Sequence, residues 1–365
     1  MRPKFFRYPL SRLLPLACSA LFLAPLFAAG VQTADPDANQ SAKQLLAYIA
    51  SIPSRPNHRI ISGQAIGRPG GYGTNDMLNG YNHLVEQLHD QTGQWVGLIG
   101  ASYGQKSTRQ QPPYIEADQL LANYWKAGGL VTIVWLPANP WTGGNQSDAH
   151  GVGPFNELLT PGSPPYVAWH AELDEVALDL LELQKAGVVV LLRAFPEQNG
   201  SWFWWGAQHG KLTKDQFTSL WRSAFDYLTR TKGLHNLLWV FASSARAPVD
   251  PLSLYPGSDV VDIVGVDDYE QSEPNIPTYR ELLSLGKPMA LTEFGPDEKT
   301  AKGSPHNFDF TALRDALQHK YDKFSYFMAW SGADDRPQAL LENRNAATLL
   351  NDPGVANRKD ITGRQ

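Results

Sequence analysis

The chain has 365 residues, of which 42% are hydrophobic and 18% are charged, with a formal net charge of −5 and a single cysteine. This hydrophobicity with so little net charge excludes a disordered chain, and the acidic balance argues against a nucleic-acid partner. One cysteine excludes an intramolecular disulfide and a cysteine-based zinc site. The chain contains eleven tryptophans, which is a high number for its length.

Residues 1–30 are predicted to be an export signal. A basic stretch without acids precedes an apolar run over 13–29, and small residues at 28–30 offer a cleavage site. A retained membrane anchor is the competing interpretation, but the run is short for a membrane span and contains two prolines. A lipoprotein interpretation of Cys18 is disfavoured because Cys18 lies in the middle of the apolar run. We therefore expect a secreted or periplasmic protein with no membrane contact after signal removal.

After a lead-in of residues 31–58, the sequence alternates between strand and helix patterns. Predicted strands cover residues 59–64, 94–100, 130–136, 188–192, 236–241, 260–266, 288–292 and 326–330. Predicted helices cover residues 75–92, 115–127, 171–186, 213–231, 276–285 and 309–323. This order predicts one α/β domain, a (β/α)8 TIM barrel over residues 59–356 with a tail of 357–365. A doubly wound sheet is disfavoured, because the glycine-rich loop 67–73 lacks the dinucleotide-binding spacing.

Two glutamates stand at the mouth end of predicted strands. Glu197 follows the fourth strand and Glu293 follows the seventh, and these strands face each other across a barrel mouth. A lone glutamate is usually a solvated loop acid, but two converging carboxylates suit glycoside hydrolysis. The sequence has no HExxH zinc motif, phosphate-binding loop or G-x-S-x-G motif. We therefore expect no metal and no cofactor.

Tryptophans cluster near Glu197. Trp202, Trp204 and Trp205 follow it closely, and aromatic faces of this kind stack on sugar rings. We assign this loop to sugar binding, allowing for one of the three in the core. Trp135 and Trp330 also lie at strand ends, whereas Trp239 lies inside a strand and is expected to pack in the core.

The segment 193–206 (RAFPEQNGSWFWWG) resembles the acid/base motif of glycoside hydrolase family 26, the β-mannanase family of clan A. Similar matches to the family occur at 129–135 with 139–140, at 261–269, at 291–295 and at 349–353. The resemblance covers about residues 59–356.

This resemblance implies a retaining mechanism through a covalent glycosyl-enzyme. Glu197 would be the general acid/base and Glu293 the nucleophile. Tyr269 would donate a hydrogen bond to Glu293, Arg193 would keep Glu293 ionised, and burial among tryptophans would raise the pKa of Glu197. The predicted substrate-binding residues are Arg193, Trp135, Trp202, Trp204, Trp205, Asn199, Tyr269 and Trp330, the last as the floor of the subsite for the sugar under attack.

The sequence departs from the family pattern at three places. Pro196 stands where the family usually has a histidine before the acid/base, and Leu136 replaces the histidine that usually follows Trp135. Residues 100–103 lack the aspartate that is common after the second strand. Two imidazole donors are therefore missing near the reacting sugar. Either another group supplies these hydrogen bonds, or the sugar differs from mannose.

We therefore expect a retaining endo-β-glycosidase that hydrolyses a polysaccharide, of β-1,4-mannan type in the first place. One alternative is a β-glycanase on another polymer, such as a mixed-linkage glucan, a β-1,3-xylan or a bacterial exopolysaccharide. A second alternative is a non-catalytic glycan-binding protein. That alternative predicts the loss of a carboxylate, and both Glu197 and Glu293 are present.

Overall fold

The structure is a computed structural model, and it describes residues 31–67, 74–104, 114–207, 212–297, 308–333 and 336–362. The predicted export signal over residues 1–30 lies outside the described residues. Most of the glycine-rich loop 67–73 and the last three residues of the chain also lie outside them.

Eight parallel strands close into a barrel. They are β1 (Ile60–Ile61 and Gly63–Ala65), β2 (Leu98–Tyr103), β3 (Leu130–Trp135), β4 (Val190–Ala194), β5 (Leu237–Ser244), β6 (Ile263–Glu270), β7 (Met289–Pro296) and β8 (Phe324–Ala329). Each strand pairs with the next, and β8 pairs back with β1 through Tyr326 with Ile61 and Ala329 with Gln64. The predicted (β/α)8 barrel is confirmed.

Helices surround this barrel. The α-helices are Gln40–Ser51, Thr74–Tyr81, Gln87–Thr92, Ile115–Lys126, Phe155–Leu158, Pro164–Lys185, Lys214–Asp226, Tyr279–Ser284, Phe310–His319 and Ala346–Leu350. Wider π-helical turns cover Asn82–Glu86 and Tyr227–Thr231, and 3-10 turns cover Ile52–Ser54, Pro251–Leu254 and Arg358–Asp360. Thr213 caps its helix through a reciprocal pair of hydrogen bonds with Gln216, where the sequence predicts the helix start. Within the described parts of the chain, none of the helices has the length and apolar character of a membrane span.

Several strands extend further toward the mouth than the sequence predicts. The patterns end β5, β6 and β7 at residues 241, 266 and 292, whereas these strands continue to Ser244, Glu270 and Pro296. A hydrophobic run ends at the first polar residue, but the pairing of the strands continues past it. Similarly, residues 100–103 belong to β2 and do not follow it. The polar residues of the mouth are therefore held by the barrel itself.

The lead-in packs under the barrel, at the end opposite the mouth. The backbone N–H of Ala34 donates to the carboxylate of Asp262, at 2.6 Å, just before β6 begins. Asp35 pairs with Nδ1 of His235, at 2.8 Å, just before β5 begins. Two short strands follow β8: Gly332–Ala333 and Arg336–Pro337 form an antiparallel hairpin at the mouth. A last strand, Val355–Ala356, pairs with β1.

Candidate active site

Glu293 lies inside β7, opposite Asp267 of β6 in the register of the two strands. Its Oε1 accepts a hydrogen bond from Nη2 of Arg193, which β4 carries into the barrel interior. The phenol of Tyr269 donates to Oε2 of Glu293 over 2.5 Å. Both contacts expected for Glu293 are present. They fix both carboxylate oxygens, and the guanidinium compensates the negative charge because arginine stays protonated in proteins.

Asp267 completes this group, and the sequence analysis assigned it no role. Its Oδ1 accepts hydrogen bonds from Nη1 of Arg193, at 2.8 Å, and from the hydroxyl of Thr292, at 2.6 Å. Burial raises the pKa of Asp267 to about 7, although the charge of Arg193 opposes this rise. Side chains two residues apart share one face of a strand. Because Tyr269 is expected to contact Glu293, Asp267 could have been predicted on the same face of the strand.

The hydrogen bond from Thr292 to Asp267 depends on a glycine at position 265 of β6. A Cβ atom on Gly265 would lie 2.5 Å from Cγ2 of Thr292, closer than real side chains approach each other. Only glycine leaves room for Thr292 to lie between the two strands and donate to Asp267.

Glu197 lies on a sharp turn three residues beyond β4. Phe195 and Glu197 both adopt the left-handed backbone conformation, with φ of 47° and 53°, which is unusual for residues other than glycine. The peptide N–H of Glu197 donates to the carbonyl of Ala242 in β5 over 2.9 Å. This bond to the neighbouring strand fixes the position of the acid, and such backbone strain is often found at functional sites.

The surroundings of Glu197 favour its protonated form. Burial raises the pKa of Glu197 well above its usual range, and the negative charges of Asp267 and Glu293 raise it further. The indole of Trp202 donates to Oε2 of Glu197 over 2.6 Å, and this bond lowers the pKa. Glu197 is thus suited to donate a proton, while Arg193 and Tyr269 contact the two carboxylate oxygens of Glu293.

A cleft of about 450 Å³ opens at the mouth, beside Glu197 and the Tyr269 side chain that contacts Glu293. Four residues singled out from the sequence line it: Glu197, Trp202, Tyr269 and Trp330. Four others that the sequence analysis missed line it as well: Ser244, Arg246, Arg336 and Gln338. Among the residues that the structure describes, no cluster of three or more histidine, cysteine or acidic side chains has a geometry able to hold a metal ion.

The structure places three of the tryptophans that are predicted to bind sugar in the core and not at the surface of the cleft. Trp135, Trp204 and Trp205 are completely buried. Nε1 of Trp204 donates to the carbonyl of Pro137, and Nε1 of Trp205 donates to that of Pro196, both within the protein. Trp135 stacks on Trp169 with ring centroids 5.5 Å apart. The aromatic loop folds inward, so only Trp202, with 38% of its surface exposed, reaches the cleft.

Two other predicted substrate contacts also have structural roles. Asn199 is buried, and its amide donates to the carbonyls of Ser244 and Val249 and accepts from the N–H of Ser244. It ties the Glu197 turn to the end of β5. Arg193 is only 1% exposed, and its guanidinium contacts the carboxylates of Asp267 and Glu293.

Comparison with known proteins agrees with this geometry. The model of glycosyl hydrolase family 26 matches residues 34–360 and so extends beyond the predicted barrel boundaries at both ends. The chain is 32% identical over 348 residues to a mannan endo-1,4-beta-mannosidase of Bacillus subtilis, covering 93% of this chain and 92% of that protein. It is 33% identical over 343 residues to mannan endo-1,4-beta-mannosidase A and B of Caldalkalibacillus mannanilyticus, covering 91% of this chain but 63% of that protein.

Solved structures are similar too. Bacillus subtilis mannanase man26 superposes with a TM-score of 0.76 at 28% identity, and the YdhT protein from Bacillus subtilis with 0.78 at 29%. Both superpositions cover 90% of this chain and 95% of the other. The predicted resemblance is confirmed, and with it the prediction of a glycoside hydrolase. The chain belongs to glycosyl hydrolase family 26.

Proposed function

We propose that the protein is a retaining endo-β-mannanase that hydrolyses a β-1,4-mannan-type polysaccharide. One observation carries the two-carboxylate chemistry: Arg193 and Tyr269 contact the two carboxylate oxygens of Glu293, while burial raises the pKa of Glu197 at the same mouth of the barrel. The retaining course follows from membership of family 26. The names of the relatives, which are mannan endo-1,4-beta-mannosidases, support the substrate and the internal cleavage.

In the first step, a carboxylate oxygen of Glu293 attacks the anomeric carbon as the glycosidic bond breaks. Glu197 donates its proton to the departing oxygen, and a covalent glycosyl-enzyme ester forms. In the second step, Glu197 takes a proton from water, and the water oxygen attacks the same carbon. The ester bond breaks, Glu293 leaves as a carboxylate, and Glu197 is protonated again.

The change in role of Glu197 follows from electrostatics. The negative charge of Glu293 is one cause of the raised pKa of Glu197. When Glu293 becomes an ester, that charge disappears and the pKa of Glu197 falls. The group is therefore a better acid donor before the attack and a better base after it.

A β-glycanase on another polymer is the second candidate. Pro196 and Leu136 are both buried and carry no side-chain hydrogen-bond donor where the family usually has histidines. Hydrogen bonds to the 2-hydroxyl of the reacting sugar contribute several kcal/mol in such enzymes. The absence of these two histidines favours a reacting sugar other than mannose.

An assay of reducing-sugar release distinguishes the candidates. Galactomannan, glucomannan, mixed-linkage glucan and β-1,3-xylan are tested with the wild type and with Glu197→Ala and Glu293→Ala, and the exposed Glu281→Ala serves as the control. We expect release from the mannans and losses of at least about 100-fold in both site variants. Preference for another polymer would replace the mannan proposal. Equal activity of wild type and site variants would overturn the site assignment.

Two further measurements test the retaining mechanism. Proton NMR identifies the anomer released first, which should be β. A 2-fluoro-mannosyl inhibitor should form an ester on the peptide that contains Glu293. An α-anomer or a label elsewhere would contradict the mechanism.

We also propose that the protein is exported, as residues 1–30 predict. Immunoblots of culture medium, periplasm and cytoplasm test this. Retention in the cytoplasm would contradict it.

A further inference from the structure

Arg246 is one of the cleft residues to which the proposed mechanism assigns no role. It follows β5 by two residues, and 45% of its side chain is exposed. Its Nη1 donates to the backbone carbonyl of Tyr269, and its Nε lies 3.8 Å from a carboxylate oxygen of Glu270. The guanidinium is thus held along β6 at the rim of the cleft that Glu197 also lines.

The strand order shows which side of the cleft Arg246 occupies. Glu197 follows β4, Arg246 follows β5 and Tyr269 lies in β6, so the three are neighbours on one side of the mouth. Trp330 follows β8, and Gln338 follows the adjacent hairpin, on the far side of Glu293 in β7. An acid that protonates the departing oxygen must lie beside the departing sugar. The side with Glu197 and Arg246 is therefore the leaving-group side.

We propose that Arg246 binds the sugar unit on the leaving-group side of the scissile bond and so determines specificity there; this inference rests on the proposed function. A guanidinium carries five N–H donors in a planar fork. One of them is used on Tyr269, so others remain for the hydroxyls of a sugar. The contacts with Tyr269 and Glu270 hold the fork in place before the substrate arrives, which reduces the entropy lost on binding.

The test compares a substrate that has sugars on the leaving-group side with a substrate that has none there. Mannohexaose places sugars on both sides of the cleaved bond. A dinitrophenyl β-mannobioside places sugars on the attacked side only. Its leaving group is a dinitrophenolate and not a sugar. We expect Arg246→Ala to lower kcat/KM on mannohexaose by roughly 10- to 100-fold, as for hydrogen bonds to a charged group. On the aryl substrate we expect a change of less than about threefold.

Three further variants complete the design. Arg246→Lys keeps the charge but cannot span two hydroxyls, so it should show the same contrast at a smaller size, and it provides the measurement if the alanine variant is unstable. Gln338→Ala, on the opposite side, should lower kcat/KM equally for both substrates. Arg222→Ala removes an exposed pair with Asp259 on an outer helix and should leave both unchanged.

Equal losses on both substrates in Arg246→Ala would overturn the inference, since they would place Arg246 behind Tyr269 as a structural support. No loss on mannohexaose would overturn it as well. Failure of the proposed function is read separately, from the wild type alone. A wild type that cleaves neither mannohexaose nor mannan contradicts that function and removes the basis of the inference.

Discussion

The indole Nε1 of Trp202 donates a hydrogen bond to Oε2 of Glu197 over 2.6 Å. A donor to a carboxylate oxygen stabilises the ionised form, so this bond lowers the pKa of Glu197. It opposes the larger effect of burial and the effects of Asp267 and Glu293, which raise that pKa. Trp202 thereby makes the partly buried Glu197 easier to deprotonate.

We expect Trp202→Phe to raise the pKa of Glu197. The acid must be protonated for the first step, so the activity is lost as the pH rises through this pKa. The alkaline limb of the kcat/KM profile should therefore move to higher pH. Trp330→Phe, another aromatic change in the cleft, should leave the limb in place. A shift to lower pH in Trp202→Phe would contradict the assignment.

The negative charge of Glu293 should raise the pKa of Glu197, whereas the hydrogen bond from Trp202 lowers it. Glu293→Gln keeps the shape of the side chain but removes the negative charge that helps to raise the pKa of Glu197. We expect this pKa to fall in the variant, as it would in the covalent intermediate. Carbon NMR of labelled glutamate can follow the titration without turnover. An unchanged or higher pKa would argue against coupling between the two carboxyl groups.

Arg193 should contribute to stability through its two acids. It is buried with Asp267 and Glu293. Arg193→Met leaves two buried carboxylates without their cation, and removing one partner of a buried pair typically costs about 3–5 kcal/mol. Urea unfolding at pH 7 measures this loss. In the control Arg222→Met, whose pair with Asp259 is exposed, the loss should be at most about 1 kcal/mol. Equal losses would show that the buried ion pairs of Arg193 contribute no more to stability than the exposed pair of Arg222.

A carboxyl pair outside the active site should make stability depend on pH. Asp118 accepts from the phenol of Tyr103, and Asp179 accepts from the N–H of Tyr114 at 2.8 Å. Their other oxygens are buried and have no hydrogen-bond donor among the described residues. Burial raises the pKa of Asp118 to about 8 and that of Asp179 to about 6. The hydrogen bond from Tyr103 lowers the pKa of Asp118, and the bond from Tyr114 lowers the pKa of Asp179. Nearby acids such as Glu182 raise both pKa values.

Both folded pKa values lie above the ordinary value of 3.8. The folded state therefore binds more protons than the unfolded state, and stability falls as the pH rises from about 4 through about 8. Asp118→Asn removes the higher titration and can donate to Asp179. We expect the free energy of unfolding of this variant to depend less on pH across that range. The control Asp322→Asn, whose side chain is 48% exposed, should retain the wild-type slope. An unchanged slope in Asp118→Asn would contradict the raised pKa of Asp118.

The sequence was sufficient to predict the barrel and the position of the two glutamates at its mouth. Parallel strands covered on both faces appear as apolar runs, and Glu197 and Glu293 are found at the ends of two such runs. It was not sufficient to separate sugar-binding tryptophans from buried ones. Trp202 and Trp204 have the same residue type two positions apart, and only tertiary packing decides which reaches the cleft. Arg246 and Gln338 escaped detection because they come from loops that meet only when the barrel closes.

The buried aromatic side chains have a consequence for turnover. The ring of Phe195, on the turn that carries Glu197, packs against Trp135, Trp169 and Trp205, with centroid separations of 5.4 to 5.9 Å. This packing offsets the strain of the left-handed turn. Tryptophans that are buried in the core therefore determine the position of Glu197. Repacking this cluster to gain thermal stability would risk displacing the acid, and a folded but slower enzyme would result.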